Sequence, residues 1–500
     1  MTDHGTREAN HCTRHISLRL AALCALTATV ACSDLPTART SSVADIRASL
    51  TASSGVPTGK TVVVFNDTSA IPQAGLNLIT SLGGVVTKRW DDVGVAFVTG
   101  LSAAGASTLR ASNLVAAVGN DRILNWLPGV KAAGAVQGDA TLVTRKDPWT
   151  ARYYVDGTQW GMRVIGADKA WAAGFQGSPT TRVAIVDTGI DYGHRELNGL
   201  VDRAASTSFA NIIVGEAGVE ASVPVEPQYP GDEPYMDNHF HGTHVAATVA
   251  SNNISVAGVA PKVTLIAVKV LSFTGSGSFE SVASGIRHAA GPANADVINM
   301  SLGAEVEPAE EGVPALLELM RRVIKWAEKQ GTLVVSAAGN SSLNLDEGTV
   351  VATPCEQSSI CVSATGPLLQ QNFDQHATYT NYGSTAIHVA APGGNASDDG
   401  NYVNQDLIIS ACSRRASEQT LNVCRANTDG VVYFYAYAAG TSMATPHVVG
   451  EAALIKSANP LLSVSGLRSK ILRTADDVQE PGRDIYTNWG RINAAKALGL

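Results

Sequence analysis

The sequence predicts an α/β protein: a doubly wound, mostly parallel sheet preceded by a small α+β unit of ferredoxin-like order. Three observations carry that expectation. From Trp160 onward, short apolar runs alternate with stretches of helical period, the pattern of repeated βαβ units. Those runs are apolar throughout rather than alternating, as strands covered by helices on both faces are. Ahead of them, residues 60–126 read as β-α-β-β-α-β.

In the first unit, Thr61 to Phe65 is a strand of mostly β-branched residues, and Leu76, Leu78, Ile79 and Leu82 mark a helix stripe. Val85–Trp90, the Asp91-Asp92 turn and Val93–Val98 read as a hairpin. A second helix over Ser102–Ser112 leads to a last strand, Leu114–Val118. Residues 33–59, rich in Ser, Thr and Ala, and residues 127–158, punctuated by Pro128, Gly129, Gly134 and Gly138, read as linkers. In the main unit, 159–500, the expected strands are Val183–Val186, Leu265–Val270, Val297–Met300, Leu333–Ser336, Ile360–Ser363 and Ile387–Ala390. The expected helices are Asp168–Ala173, His244–Ser251, Phe279–Ala289, Leu316–Gln330, Met443–Ser457 and Ser465–Ala475.

A chain of 500 residues with 45% hydrophobic and 16% charged residues is long enough for more than one folded unit. Its net charge of −8 argues against nucleic acid or an anionic membrane surface as a partner. Arg14, His15 and Arg19 precede an apolar run, Leu20–Ala31, too short to span a bilayer and suited to the core of a secretory signal, 1–32. Cys32 after Thr29-Val30-Ala31 resembles a bacterial lipoprotein cleavage site, although a Leu is missing at Thr29. An ordinary signal peptide is the alternative, and a membrane partner is expected only if Cys32 is acylated. Both place the protein outside the cytoplasm, secreted or in the cell envelope. Beyond this presequence remain Cys355, Cys361, Cys412 and Cys424. An even number in an exported chain suggests two disulfides. Close spacing favours Cys355–Cys361 and Cys412–Cys424, with the other two pairings open.

Three segments carry chemistry. Asp187 ends Val183-Ala184-Ile185-Val186-Asp187-Thr188-Gly189, His241 opens His241-Gly242-Thr243-His244-Val245-Ala246, and Ser442 lies in Gly440-Thr441-Ser442-Met443-Ala444-Thr445-Pro446-His447. Acid, base and nucleophile in the order Asp…His…Ser is one of the few chain orders known for a serine-hydrolase triad. A serine hydroxyl is a poor nucleophile at neutral pH and needs a base to take its proton. The base in turn needs an acceptor to fix its tautomer. Ser442 at a helix start could instead be a plain N-cap and Asp187 a turn-capping carboxylate. Asn340, in Ser336-Ala337-Ala338-Gly339-Asn340, has a side-chain amide suited to donating to an oxyanion, beside the backbone N–H of Ser442. Asp237, His239, His241 and His244 lie close enough in sequence to suggest a metal site, but the spacing fits no common zinc pattern and no metal is expected there.

From Gln159 to Leu500 the chain resembles the subtilisin-like serine proteases, the subtilases. The resemblance implies that Asp187, His241 and Ser442 are catalytic and that Asn340 holds the oxyanion. It implies that Ser301-Leu302-Gly303 and Gly275-Ser276-Gly277 pair with an extended substrate backbone, and that Ala337, Ala338 and Gly339 line the first specificity pocket. No cofactor is needed for the chemistry. The substrate is protein or peptide. Residues 60–126 resemble an inhibitory propeptide, an intramolecular partner that the enzyme cuts off within 127–158. Structural calcium is the one ion the resemblance brings. The loop between Val249 and Gly258 is short for the usual site, which leaves Asp191 and Glu196 as candidates for another. Ala247 stands where many relatives have Gly. The expected function is therefore an exported, self-processing serine endopeptidase. The alternatives are a lipid-anchored envelope maturation protease and a catalytically silent peptide-binding relative.

Overall fold

The computed structural model describes residues 55–138, 145–210, 229–355, 359–397, 400–417, 422–428 and 430–500. The signal segment, Cys12, Cys24 and Cys32, most of the first linker and residues 211–228 lie outside the described residues.

The amino-terminal unit has the expected order: β1 (Val56–Phe65), α1 (Gln73–Ser81), β2 (Val85–Trp90), β3 (Val95–Thr99), α2 (Ala103–Arg110) and β4 (Val115–Asn125). Its sheet runs β2-β3-β1-β4, antiparallel at every step. Side chains alternate across it because the strand period is two. Val63, Phe65, Ala96 and Val98 pack under the two helices with Ile79 and Leu109. Val62, Val64, Val95 and Phe97 face the other way and join a core of the larger unit. Both faces are thus buried, at about 1.5–3 kcal/mol for each fully buried aliphatic or Phe side chain.

The larger unit continues with β5 (Lys131–Ala135), β6 (Arg182–Asp187), β7 (Thr207–Ser208), α3 (His241–Val249), β8 (Thr264–Lys269), β9 (Ser276–Ser278), α4 (Phe279–Ala290), β10 (Val297–Met300) and β11 (Ala304–Val306). Then come α5 (Val313–Lys329), β12 (Leu333–Ala337), β13 (Val351–Thr353), β14 (Ile360–Thr365), β15 (Val389–Pro392), β16 (Ile408–Ala411), β17 (Arg425–Thr428), β18 (Val431–Ala439), α6 (Thr441–Ala458) and α7 (Val464–Thr474). The central sheet has the order β15-β14-β12-β10-β6-β8-β7, parallel throughout. Alternate residues of β6 go to opposite layers: Val183 and Ile185 pack with Val245, Val249 and Val448 of α3 and α6, while Ala184 and Val186 pack with Val282, Ile286, Leu319 and Val323 of α4 and α5. This two-sided burial explains why the strands read as uninterrupted apolar runs.

The amino-terminal sheet sits on α4 and α5. Its β4 pairs antiparallel with β9, with Ile123 opposite Ser278 and Asn125 opposite Ser276. Glu280, buried at the start of α4, forms ion pairs with Lys60 at 2.8 Å and Lys88 at 2.5 Å. The Arg322 guanidinium of α5 donates to the Val93 carbonyl at 3.0 Å.

Three expectations need correction. The described residues of 127–158 are not irregular throughout: β5 pairs with β18, with Ala132 opposite Ala438, and Ala151 and Tyr153 lie in the core of the larger unit. Main-chain pairing needs no particular side chains, so a Gly-, Ala-rich strand escapes a reading based on apolar pattern. The strand expected from Thr61 begins at Val56, inside the supposed first linker, and the last core strand begins at Val389 rather than Ile387. The antiparallel set β16-β18-β17 was not foreseen. Cys355–Cys361 and Cys412–Cys424 are disulfides.

Candidate active site

Asp187 is the last residue of β6, so it stands at the carboxyl edge of the parallel sheet, where α/β sites form. His241 is the first residue of α3. The two meet because two glycines let strand end and helix start come close: a Cβ on Gly242 would lie 2.0 Å from the carbonyl oxygen of Gly189, which itself has φ +106°. Both carboxylate oxygens of Asp187 face His241 Nδ1, at 2.9 and 3.0 Å, and one also accepts the Thr188 N–H at 2.7 Å. With Nδ1 held by the carboxylate, His241 Nε2 is the free nitrogen. It is buried and has no partner among the described residues.

Ser442 is the second residue of α6. Its Oγ donates to the Ser301 carbonyl at 2.8 Å, and Ser301 Oγ donates back to the Ser442 carbonyl at 2.7 Å. Asn340 follows β12. Its Oδ1 accepts from the Thr441 N–H at 2.8 Å and the Thr441 hydroxyl at 2.9 Å, which fixes the amide orientation and turns Nδ2 outward. That Nδ2 donates to the Pro128 carbonyl at 3.0 Å.

Gly275, Gly277 and Gly303 are bonded to a segment of the chain itself, at Trp126. The Trp126 N–H donates to Gly275 at 3.0 Å, the Gly303 N–H donates to Trp126 at 2.9 Å, and the indole N–H of Trp126 donates to Gly277 at 2.8 Å. The Trp126 ring is fully buried, edge-on to Phe279 at 5.0 Å, in a cluster that includes Leu271 and Leu302. Main-chain bonds align this segment, as in strand addition, and the indole is enclosed by apolar side chains. Ala337 ends β12, and Ala338 and Gly339, also buried, lead from it to Asn340.

A second carboxylate, which sequence reading placed only in a possible metal cluster, braces this arrangement. Asp237 accepts from the hydroxyls of Thr188 at 2.9 Å and Thr243 at 2.6 Å, and from the N–H groups of His239 and Thr243 at 2.9 Å each. Thr188 Oγ1 in turn accepts the Gly242 N–H at 2.9 Å. Burial raises the Asp237 pKa, and the nearby charge of Lys269, whose Nζ donates to the Thr188 carbonyl at 2.5 Å, opposes that rise. The signal available in the sequence was an acid four residues before His241, on the loop entering its helix. With every donor-facing oxygen of Asp237 in use, and with His244 Nε2 directed at the carbonyls of Ile408 and Ala436, the residues do not make a metal site. Burial pushes the pKa of His239 down to about 3, of His244 to about 3 and of His447 to about 4, which keeps them neutral.

The carboxylates considered for calcium are committed elsewhere. Asp191 takes the Arg414 guanidinium at 2.8 and 2.7 Å and the Arg414 N–H at 2.9 Å. Glu196 accepts N–H groups of the short loop from Ile254 at 3.0 Å and Ser255 at 2.6 Å, and the Tyr435 hydroxyl at 2.9 Å. N–H donors pointing at these oxygens do not fit a cation. Among the described residues, no group of three His, Cys, Asp or Glu is arranged to hold a metal ion. Asp346 accepts the N–H groups of Ser384 at 2.6 Å and Thr385 at 3.0 Å. Among the described residues no helix is long and apolar enough to cross a membrane.

A buried acid–imidazole pair, a serine hydroxyl, an outward amide donor and a peptide laid across them suit acyl transfer at a peptide carbonyl. Comparison with known proteins agrees. A sequence profile of the subtilase family, Peptidase_S8, matches residues 178–490. The chain is 33% identical to subtilisin DY of Bacillus licheniformis over 340 residues, 68% of this chain and 97% of that one. It is 32% identical to thermitase of Thermoactinomyces vulgaris over 349 residues, 69% of this chain and 97% of that one. In fold it is similar to the epidermin leader peptide processing serine protease of Staphylococcus aureus, with TM-score 0.64, 20% identity, and 88% of this chain and 98% of that one covered.

Proposed function

This chain belongs to the subtilase family and is a serine endopeptidase acting on protein or peptide substrates, and from that premise we propose that it is an exported enzyme made as a self-processing precursor. Residues 60–126 are its inhibitory propeptide. Ser442 is the nucleophile, His241 the base, Asp187 the carboxylate that orients it, and Asn340 with the Ser442 N–H the oxyanion donors. Export is supported by the amino-terminal signal pattern and by two disulfides, which persist in oxidising compartments. Acylation of Cys32 would anchor the enzyme at the envelope.

One observation carries the reading: the chain's own residues occupy the peptide-binding edges, with the Pro128 carbonyl on the Asn340 amide. On attack at a carbonyl held this way, the Ser442 proton passes to His241 Nε2, the nitrogen left free. Charge developing on the carbonyl oxygen meets donors already in place, so little reorganisation is needed. His241 then returns the proton to the leaving amine, and water completes the cycle through the same base.

The test is intact mass of the full chain beside its Ser442→Ala variant. Loss of the amino-terminal part from the wild type, with the variant uncut, is the expected result. Identical cutting of both would remove self-processing from the reading.

A further inference from the structure

We propose that the bond the enzyme cuts in its own chain is Pro128–Gly129, and that Pro128 delays this cut by leaving the nucleophile hydrogen-bonded to Ser301; this rests on the self-processing reading above. Two anchors narrow the position. Upstream, Trp126 is fixed by Gly275, Gly277 and Gly303. Downstream, β5 starts at Lys131, opposite Ala439, one residue before Gly440 and the helix of Ser442. Only residues 127–130 cross the space between. Of their carbonyls, that of Pro128 is the one on Asn340 Nδ2, at 3.0 Å. Gly129 then lies against the Asn340 backbone: a Cβ there would sit 3.1 Å from the Asn340 carbonyl oxygen and 3.0 Å from its Cβ, at φ +67°.

The delay follows from the ladder. Trp126 bonds Gly303, Ser301 bonds Ser442, and Pro128 bonds Asn340, which also holds Thr441, so the peptide runs antiparallel to Ser301–Gly303. The Trp126 carbonyl takes the Gly303 N–H while its own N–H turns to Gly275, so the segment is shared between two edges; two residues on, in the antiparallel direction, Pro128 comes opposite Ser301. A residue with an N–H would donate it to the Ser301 carbonyl. Proline has none. The Ser301 carbonyl instead takes the Ser442 hydroxyl at 2.8 Å, and His241 Nε2 is left without a partner among the described residues.

When the cut occurs, Ser442 Oγ adds to the Pro128 carbonyl carbon and its proton goes to His241 Nε2. The carbon–nitrogen bond to Gly129 breaks and the Gly129 nitrogen takes that proton. Water then splits the Pro128–Ser442 ester, its hydroxyl going to the Pro128 carbon and its proton returning through His241 to Ser442 Oγ. The products end in a Pro128 carboxylate and begin with a Gly129 amine.

The experiment follows the full chain, refolded from denaturant, by intact mass and fragment sequencing over time, for wild type, Ser442→Ala, Pro128→Ala and Gly129→Val. Expected are fragments ending at Pro128 and beginning at Gly129. Pro128→Ala should be cut about two- to tenfold faster at the same bond, the rate equivalent of one hydrogen bond. Gly129→Val, which crowds Asn340 at a left-handed φ, should be cut more slowly. A variant that merely loosened the segment would speed both, so opposite effects at adjacent residues separate the two causes. Ser442-dependent cutting at any other bond overturns the assignment and leaves self-processing standing. An unchanged or slower Pro128→Ala overturns the delay. Cutting of Ser442→Ala at the wild-type rate removes the reading beneath both.

Discussion

Asp187 holds His241 through both carboxylate oxygens, at 2.9 and 3.0 Å from the same ring nitrogen, with neither residue exposed to solvent. The pair is therefore an orienting device more than a surface ion pair. It fixes Nε2 as the nitrogen left free.

Replacing Asp187 with Asn keeps the size and puts an amide N–H where an acceptor is needed. Peptide hydrolysis should fall about 10⁴-fold in kcat, as in other serine proteases given the wrong imidazole tautomer, with KM little changed. A loss mainly in KM would place Asp187 in substrate binding instead.

Asn340→Leu removes the outward donor but keeps the bulk. The expected loss is about 10²–10³ in kcat, a magnitude known from the corresponding asparagine of subtilisin rather than obtained from this chain. Steady-state kinetics of the processed enzyme on a peptide substrate checks it, and a near-normal kcat would leave the oxyanion to other groups.

Glu196 gathers the loop 254–256 onto one buried carboxylate. Chelation by EDTA should leave the melting temperature of the wild type unchanged. Glu196→Ala should lower it by several degrees, because each stranded buried donor costs about 1–3 kcal/mol. Calorimetry of both proteins with and without calcium decides this. A large drop with EDTA in the wild type would mean that a cation fixes the fold elsewhere.

The contact between the amino-terminal unit and the rest should weaken as pH rises. Burial, and then the charge of Glu280, push the Asp121 pKa up to about 7 from an ordinary value of 3.8. A carboxyl with a raised pKa in the assembled state favours assembly while protonated. That contribution is lost as pH climbs from about 4 to about 7, and is flat above. After cutting, size-exclusion chromatography should find the unit more tightly held at pH 5 than at pH 8. Asp121→Asn should hold as well at pH 8 as at pH 5. An Asp121→Asn protein with the wild-type pH dependence would assign it to other groups.

Much of this was legible in the sequence because of two-sided burial. Val183–Val186 is apolar at every position and Phe279–Ala289 carries a clear period, so these two elements differ from the observed ones by only a residue at an end. The site was legible because glycines forced by close approach, as at Gly242 against Gly189, flank its reactive residues. What was not legible depends on main-chain pairing or on distant partners. Strand β5 is Lys-Ala-Ala-Gly-Ala and looks like a linker until it meets β18. Asp237 gained a positioning role only once Thr188 and Thr243 were brought around it. Nothing in Leu127-Pro128-Gly129 itself announces that its carbonyl rests on Asn340, 212 positions away.

The central claim is that Ser442 is a nucleophile activated by His241. The most direct measurement is covalent labelling of the processed enzyme with a fluorophosphonate, with the adduct located by peptide mass mapping. The account predicts one adduct per chain, on Ser442, and none in the His241→Ala variant. An adduct on another residue, or peptide hydrolysis that persists undiminished in Ser442→Ala, would contradict it.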